Sequence, residues 1–235
     1  MPALLYHVSM TGQFDFTIRK KSDLIEAVDA FGIVPLFCNS IPGFSVEEHV
    51  APGAWFDSSD GVWEWKGPVI RETGCAYGKF LEHKAVFIGM DWFPDFANYR
   101  RNGYTFKERV QSGLVYYQDT ELYELLSGMA PVLSKELKAE GNYRKGGRTG
   151  FDTAISRLQA QCFAVISDFV YETDRWGNRY GWGVAEYSTP EVSFGEDFMD
   201  CIELRSPEES LERIMEHFRQ ILPWAEESAI RKILR

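Results

Sequence analysis

The fold is decided by residues 119–190, which begin with the segment Asp119-Thr-Glu-Leu-Tyr-Glu-Leu-Leu-Ser-Gly128. Two more segments with helical spacing follow, Ser134-Lys-Glu-Leu-Lys-Ala-Glu-Gly141 and Gly150-Phe-Asp-Thr-Ala-Ile-Ser-Arg-Leu-Gln-Ala-Gln161. Two β-prone runs then occupy residues 162–171 and 180–187, joined by the turn-forming stretch Asp174-Arg-Trp-Gly-Asn178. Apolar residues three and four apart indicate helices, and a glycine-containing turn between β-prone runs indicates a hairpin. Three helices and a hairpin in this order predict a winged helix-turn-helix.

The N-terminal half has mixed signals. Alternation of Phe14, Phe16 and Ile18 with polar residues predicts a leading strand, and residues 22–31 predict a helix. Residues 61–68 alternate Trp63 and Trp65 with charged residues, which predicts a strand. Residues 75–80 and 84–89 predict a hairpin. These segments indicate a portion that contains both helices and strands.

The predicted fold class is therefore α+β, with tandem winged helix-turn-helix units packed against an N-terminal α/β portion. We predict an N-terminal α+β portion over residues 1–118, for which a degenerate winged helix is one interpretation. The winged helix-turn-helix covers residues 119–190. Residues 191–235 supply C-terminal helices that pack on the core, because residues 207–235 contain two amphipathic segments separated by Pro223.

Composition narrows the class of protein. Of 235 residues, 45% are hydrophobic, which excludes a disordered chain. No apolar run approaches the roughly 20 residues that span a bilayer, and the N-terminus lacks a signal-peptide pattern, so a cytoplasmic protein is expected. Nucleotide-binding motifs and closely spaced cysteines are both lacking, so we expect neither a cofactor nor a metal site.

Charge gives conflicting indications about nucleic acid. The formal net charge of −10 disfavours strong non-specific binding to phosphates. The bases are nevertheless concentrated in the predicted winged helix, where a glycine-rich loop enters the third helix and two arginines flank the hairpin turn. A winged helix places its third helix in the DNA major groove and its hairpin against the flanking backbone. The predicted nucleic-acid-binding residues are Arg144, Lys145, Arg148, Thr149, Arg157, Arg175 and Arg179. Duplex DNA is the expected partner.

Several segments together resemble a known family. They are Trp63-Glu-Trp-Lys-Gly-Pro68, Tyr77-Gly-Lys-Phe80, Trp92-Phe-Pro-Asp-Phe-Ala-Asn-Tyr-Arg-Arg101, Leu133-Ser-Lys-Glu-Leu-Lys138, Gly146-Gly-Arg-Thr-Gly-Phe-Asp152, Gln159-Ala-Gln161 and Tyr180-Gly-Trp-Gly183. With these segments the chain resembles the AlkZ/YcaQ superfamily of winged-helix DNA glycosylases, and most closely its AlkZ-related proteins. The resemblance implies a DNA-repair protein that acts on alkylated DNA.

The same resemblance assigns a catalytic pair. Members of the superfamily use a Gln-x-Gln or Gln-x-Asp motif to place and activate water, which corresponds here to Gln159 and Gln161. An alternative interpretation is that both glutamines are polar residues that close the third helix. Whether the chain is an enzyme is therefore left open. A winged helix can also serve as a non-enzymatic interaction module that binds a protein partner, and this alternative stays open as well.

Overall fold

A computed structural model describes residues 17–56, 61–177 and 179–234. It has the α+β class that the sequence predicts, with helices packed around two small antiparallel sheets. The strand predicted from Phe14 and Phe16 lies outside the described residues, as does Asn178 of the predicted turn.

The described residues of the first unit (residues 21–56 and 61–88) form three helices and three strands. They are α1 (Lys21–Phe31), β1 (Ile33–Pro35), α2 (Val46–His49), α3 (Val62–Thr73), β2 (Ala76–Leu81) and β3 (Lys84–Ile88). The strands form an antiparallel sheet in the order β1-β3-β2, in which Phe87 pairs with both Val34 and Tyr77. Gly32 ends α1 in the left-handed conformation, with φ of 67°, which glycine adopts without steric cost.

The strand predicted for residues 61–68 is wrong, because these residues begin α3. Its buried side comprises Val62, Trp65, Lys66, Gly67, Val69 and Ile70. Buried residues three and four apart lie on one face of a helix, so packing of this face against the core selects the helix. The sequence was misleading because the tryptophans alternate with charges and Gly67-Pro68 disfavours a helix interior, yet tertiary packing overrides both signals.

The second unit (residues 117–188) repeats this order of elements. Two connecting helices, α4 (Phe93–Arg101) and α5 (Phe106–Gln111), lead to α6 (Tyr117–Met129), β4 (Val132–Leu133), α7 (Ser134–Glu140), α8 (Phe151–Ala160), β5 (Val165–Thr173) and β6 (Arg179–Ser188). The sheet order β4-β6-β5 corresponds to β1-β3-β2 of the first unit. The three helices and the hairpin predicted for this stretch are all present.

A separate apolar core holds the second unit together. Phe151, Ile155 and Leu158 of α8 are buried at the predicted spacings of four and three. They pack in one cluster that includes Leu122 of α6 and Leu137 of α7. Complete burial of side chains of this size contributes roughly 1.5–3 kcal/mol each. This packing fixes the orientation of α8 within the unit.

Three C-terminal helices pack on the larger apolar cluster. They are α9 (Pro190–Ile202), α10 (Pro207–Ile221) and α11 (Glu227–Ile233). Helix α10 lies along α4, where the buried Asp95 accepts a hydrogen bond of 2.9 Å from the Ser210 hydroxyl and pairs with Arg213. The helices are thus tied to the centre of the chain. The domain boundaries at residues 118 and 190 stay a prediction.

The two units are joined by a reciprocal arrangement in which the third helix of each packs against a strand of the other. Helix α3 lies against β5, and α8 lies against β2. At the first crossing, a Cβ at Gly67 would lie 3.4 Å from the backbone nitrogen of Phe169. At the second, the backbone nitrogen of Lys79 donates to Oε1 of Gln159 over 3.1 Å. We call this arrangement the reciprocal interface.

Gly78 provides a test of this interface. A Cβ at Gly78 would lie 2.8 Å from Cζ of the buried Phe80 and 3.1 Å from Oε1 of Gln159. We expect Gly78→Ala to lower the free energy of unfolding by about 1–3 kcal/mol through overpacking. Gly128→Ala, in α6 with no heavy atom within 4 Å of the added Cβ, is the matched control and should be neutral or stabilising. Denaturant unfolding of both variants measures the difference, and equal stabilities would contradict the close packing.

Candidate nucleic-acid interface

The loop between α7 and α8 is a hydrogen-bonded turn that exposes cations. Arg148 donates its backbone N–H to the Asn142 carbonyl over 2.8 Å, and Gly147 donates to the Arg144 carbonyl over 2.7 Å. These bonds close the loop on itself and leave Arg144 and Lys145 exposed at its apex. We call residues 142–149 the basic loop. Two of its predicted cations are therefore presented to solvent on an ordered backbone.

Two other predicted cations are engaged by acids of α6. Arg148 pairs with Glu121, and its hydrogen bond holds the pKa of the Glu121 carboxyl below the usual range. Arg157 donates from Nε to Oδ2 of the buried Asp119 over 2.7 Å, and this pairing raises the pKa of Arg157. Thr149 is exposed, and its carbonyl accepts a hydrogen bond from Gln118. Arg148 and Arg157 thus already have anionic partners.

The β5–β6 hairpin (residues 165–188), which we call the wing hairpin, exposes aromatic rings beside arginines. Trp176 and Trp182 are 71% and 70% exposed, and Tyr180 is also exposed. The guanidinium carbon of Arg175 lies 3.9 Å from the ring centroid of Trp176. Arg175 and Arg179 have no ion pair with any residue that the structure describes. Exposed rings and unpaired guanidinium groups are the side chains that stack on bases and contact phosphates.

Helix α8 presents little free surface of its own. Asp152 and Thr153 of its first turn are exposed, but Ser156 accepts a hydrogen bond of 3.2 Å from Nζ of Lys79. Arg157 is held by Asp119. An acidic patch on α8 would favour a protein partner over DNA. Asp152 is the acid of its exposed first turn, and the carboxylate lies 3.1 Å from Nζ of Lys138. The outward face of α8 is therefore largely satisfied within the protein.

The two predicted catalytic glutamines have different surroundings. Gln159 is fully buried, and both ends of its amide are bonded: Oε1 accepts from Lys79, while Nε2 donates to the Ile155 carbonyl over 3.3 Å. Gln161 follows α8, and its Oε1 is buried without a hydrogen-bond partner among the described residues. The side chain of Gln159 thus connects α8 to β2, whereas Gln161 retains an unused acceptor. The catalytic role of the pair stays a prediction.

Sequence reasoning missed Lys66, which lies beneath the wing hairpin. This residue of α3 is only 6% exposed, and its ammonium nitrogen lies 4.0 Å from the Trp63 ring centroid and 4.2 Å from that of Phe169. Burial lowers the pKa of Lys66 to about 8, although the nearby Glu64 carboxylate opposes the shift. Lys66 belongs to the segment Trp63-Glu-Trp-Lys-Gly that was quoted above from the sequence. Its burial, however, depends on α3, a helix that the sequence did not predict.

The different surroundings of the glutamines lead to opposite effects on stability. Gln159→Met should lower the free energy of unfolding by about 1–3 kcal/mol, because the Lys79 N–H loses its acceptor in a buried place. Gln161→Met removes an acceptor that has no donor, so the change should be within about 0.5 kcal/mol of zero or stabilising. Denaturant unfolding of the two variants measures this. A larger loss for Gln161→Met than for Gln159→Met would contradict the described hydrogen bonding.

The lowered pKa of Lys66 predicts that the free energy of unfolding depends on pH. Below pH 8 the lysine is charged in both the folded and unfolded states, so folding bears the full cost of desolvating the ammonium. Between pH 8 and the ordinary value of 10.5 the folded state releases its proton first, so stability rises with pH. Lys66→Met should therefore be more stable than wild type at pH 7, by at most about 3 kcal/mol. That advantage should shrink between pH 8 and 10.5, and a constant difference would contradict it.

Within residues 17–56, 61–177 and 179–234, no three histidine, cysteine or acidic side chains are arranged to hold a metal ion. None of the helices described is long and apolar enough to cross a membrane.

Comparison with known proteins identifies the family. No curated protein matches the sequence. Among solved structures, Streptomyces sahachiroi DNA glycosylase AlkZ matches with 14% sequence identity and a TM-score of 0.49, over 97% of this chain and 62% of that chain. The chain therefore spans about 62% of the length of that glycosylase. A sequence model of the family described as "AlkZ related" matches residues 18–235. This match confirms the resemblance in the sequence motifs, and the chain belongs to the AlkZ-related family.

Proposed function

We propose that this chain is a DNA-repair protein that binds duplex DNA through the wing hairpin and the basic loop. The observation that carries the proposal is the wing hairpin, where Arg175 and Arg179 stand unpaired among exposed aromatic rings within the described part of the chain. Guanidinium groups neutralise phosphates, while the rings supply stacking surface. Membership of the AlkZ-related family supports the same assignment.

We propose that both units are winged helices and that they contact DNA without inserting a third helix into the major groove. Ser156 and Arg157 on the outward side of α8 are bonded to Lys79 and Asp119. Releasing them for base contacts would leave Asp119 as a buried, unpaired carboxylate, which costs several kcal/mol. Contact through the hairpin and loop requires no such rearrangement. The DNA backbone is then held by the solvent-exposed cations, and α8 has a structural role.

Alkylated DNA is the proposed target, and hydrolysis of the glycosidic bond is the proposed reaction. Gln161 is the better candidate of the two glutamines for holding water, because its side chain is only partly buried and its Oε1 has no donor among the described residues. That oxygen is shielded from solvent in this structure, so the proposed reaction requires DNA binding to uncover it. The amide oxygen can accept a hydrogen bond from the water whose oxygen attacks C1′ of the deoxyribose. As the C1′–O bond forms, the bond from C1′ to the base nitrogen breaks, the base leaves as a neutral molecule and the proton lost by the water passes to solvent. An alkylated base that carries positive charge is already a good leaving group, so orientation of water is the main requirement. Gln159 would position α8, and with it Gln161, through its bond to Lys79.

A second candidate function is supported by a groove that lies apart from the wing hairpin. The groove has a volume of about 910 Å³ and is lined by residues of α4, α5, α6 and α9. Its walls combine apolar side chains such as Val110 and Met199 with four carboxylates and three cations, which are Glu108, Glu124, Glu191, Glu203, Arg101, Lys107 and Arg205. A net charge of −10 suits a basic peptide better than a nucleic acid. A non-enzymatic module that binds a protein partner through this groove is therefore the alternative.

Salt dependence of duplex binding tests the DNA proposal. Each phosphate contact contributes about 0.9 to the slope of log K against log salt concentration. Arg175→Ala/Arg179→Ala should therefore weaken binding and reduce the slope by about 1.8, and Arg144→Ala should reduce it by about 0.9. The slopes are measured by fluorescence anisotropy of a labelled duplex at salt concentrations from about 50 to about 200 mM.

Arg148→Ala and Arg157→Ala are matched controls, because the same residue type is removed where an acid already pairs with it. These variants should leave the slope unchanged, while Arg157→Ala also loses stability because Asp119 is left buried and unpaired. Equal slopes for wild type and for Arg175→Ala/Arg179→Ala would contradict the proposed surface. Undetectable binding to any duplex would favour the protein-binding alternative.

The proposed reaction requires its own assay. With an alkylated duplex as substrate, formation of abasic sites should fall at least tenfold in Gln161→Ala, while duplex affinity is unchanged, because transition-state contacts affect turnover more than binding. Gln159→Ala should lose activity together with stability. Unchanged activity in Gln161→Ala would remove that residue from the proposed reaction.

A further inference from the structure

An aromatic pocket lies where α3 packs beneath the wing hairpin. Its volume is about 310 Å³, at the lower end of the sizes typical of small-ligand sites. Five aromatic side chains, one lysine and one glycine line it: Phe56, Trp63, Lys66, Phe169, Tyr171, Trp182 and Gly183. Trp63 and Phe56 are stacked with an interplanar angle of 12°, and Trp182 meets Trp63 edge to face. The pocket thus offers several ring faces close together.

Two hydrogen-bond donors at this pocket lack acceptors among the residues that the structure describes. The ammonium group of Lys66 is held against the faces of Trp63 and Phe169 and makes no hydrogen bond or ion pair with a described residue. The indole nitrogen of Trp63 is buried, and it too has no acceptor in the described part of the chain. Buried donors without partners are rare in folded proteins. A ligand in the pocket with acceptor atoms would satisfy the ammonium group of Lys66.

We propose that this pocket binds a single neutral nucleobase that has left the DNA stack, with Lys66 donating a hydrogen bond to an acceptor on the edge of the base. The inference rests on the DNA binding proposed above and adds a site for one base beside that surface. A nucleobase combines the two properties that the pocket requires, a flat π face and an edge of ring nitrogens and carbonyl oxygens. Extruded bases are characteristically held by aromatic stacking and by hydrogen bonds to the base edge.

The lysine also restricts the charge of the base. Lys66 is predominantly protonated near neutral pH, because its pKa of about 8 lies above the pH of the solution. A ring made cationic by alkylation would be repelled by the ammonium group at short range. The neutral base that lies opposite a damaged position is therefore a better occupant than a cationic alkylated base. This position is separate from the one that we assign to Gln161.

Two duplexes of the same sequence test the site. One carries 2-aminopurine opposite thymine, and the other carries it opposite an abasic analogue, so that the base is unpaired and easily extruded. Wild type should bind the second duplex roughly 5- to 150-fold more tightly, as expected for stacking of one base on aromatic side chains. Trp182→Ala and Lys66→Met should bring this ratio close to one. A ratio near one in wild type would overturn the inference.

Trp176→Ala is the matched control, because Trp176 and Trp182 are equally exposed on the same hairpin but only Trp182 lines the pocket. It should weaken binding of both duplexes and preserve their ratio. A ratio that persists in Trp182→Ala, or falls equally in Trp176→Ala, would also overturn the site. If wild type binds both duplexes equally well, the pocket is refuted while the proposed DNA binding stands.

Free nucleosides test the pocket even if neither duplex binds. Guanosine should quench tryptophan fluorescence in wild type, and the quenching should weaken in Lys66→Met and Trp182→Ala. The cationic 7-methylguanosine should bind less tightly than guanosine to wild type, and this difference should disappear in Lys66→Met. Absence of guanosine binding at millimolar concentration would overturn the pocket, and tighter binding of 7-methylguanosine would overturn its selectivity for a neutral base.

Discussion

The reciprocal interface is the constraint on which the remaining structure depends. Each unit has a third helix that needs an apolar surface, and each obtains it from a strand of the other unit: α3 on β5 and α8 on β2. Gly67 and Gly78 allow the close approach at the two crossings. Because each unit covers an apolar surface of the other, the burial that stabilises one also stabilises the second. The two units are therefore expected to unfold together.

Sequence periodicity predicted the second unit well, because its signals are local. Phe151, Ile155 and Leu158 are spaced for a helix and are buried as a helix face. The first unit was predicted less completely. Residues 61–68 have contradictory local signals, and the deciding factor is a strand about a hundred residues later, against which Gly67 packs. A contact of this kind cannot be read from a window of neighbouring residues.

The candidate site shows the same distinction between residue type and residue environment. The sequence identifies Arg148 and Arg157 as cations near α8, but their partners Glu121 and Asp119 belong to a different helix. Which arginines remain available therefore depends on how α6 packs. Likewise, Gln159 is recognisable as part of a motif, whereas its bond to the backbone of Lys79 exists because β2 crosses α8. The exposed wing arginines were the more predictable group, since hairpin turns usually face solvent.

The contacts that α8 makes within the protein have a consequence for the recognition of DNA sequence. A helix in the major groove distinguishes base pairs through the pattern of donors and acceptors on their edges. Here Ser156 and Arg157 on the outward side of α8 are bonded to Lys79 and Asp119, whereas the arginines and rings of the wing hairpin are exposed. If the wing hairpin contacts DNA as we propose, it would engage phosphates and base planes of any order. A surface of that kind would not discriminate between DNA sequences. The proposed repair role is compatible with such binding, because chemical damage can occur in any DNA sequence.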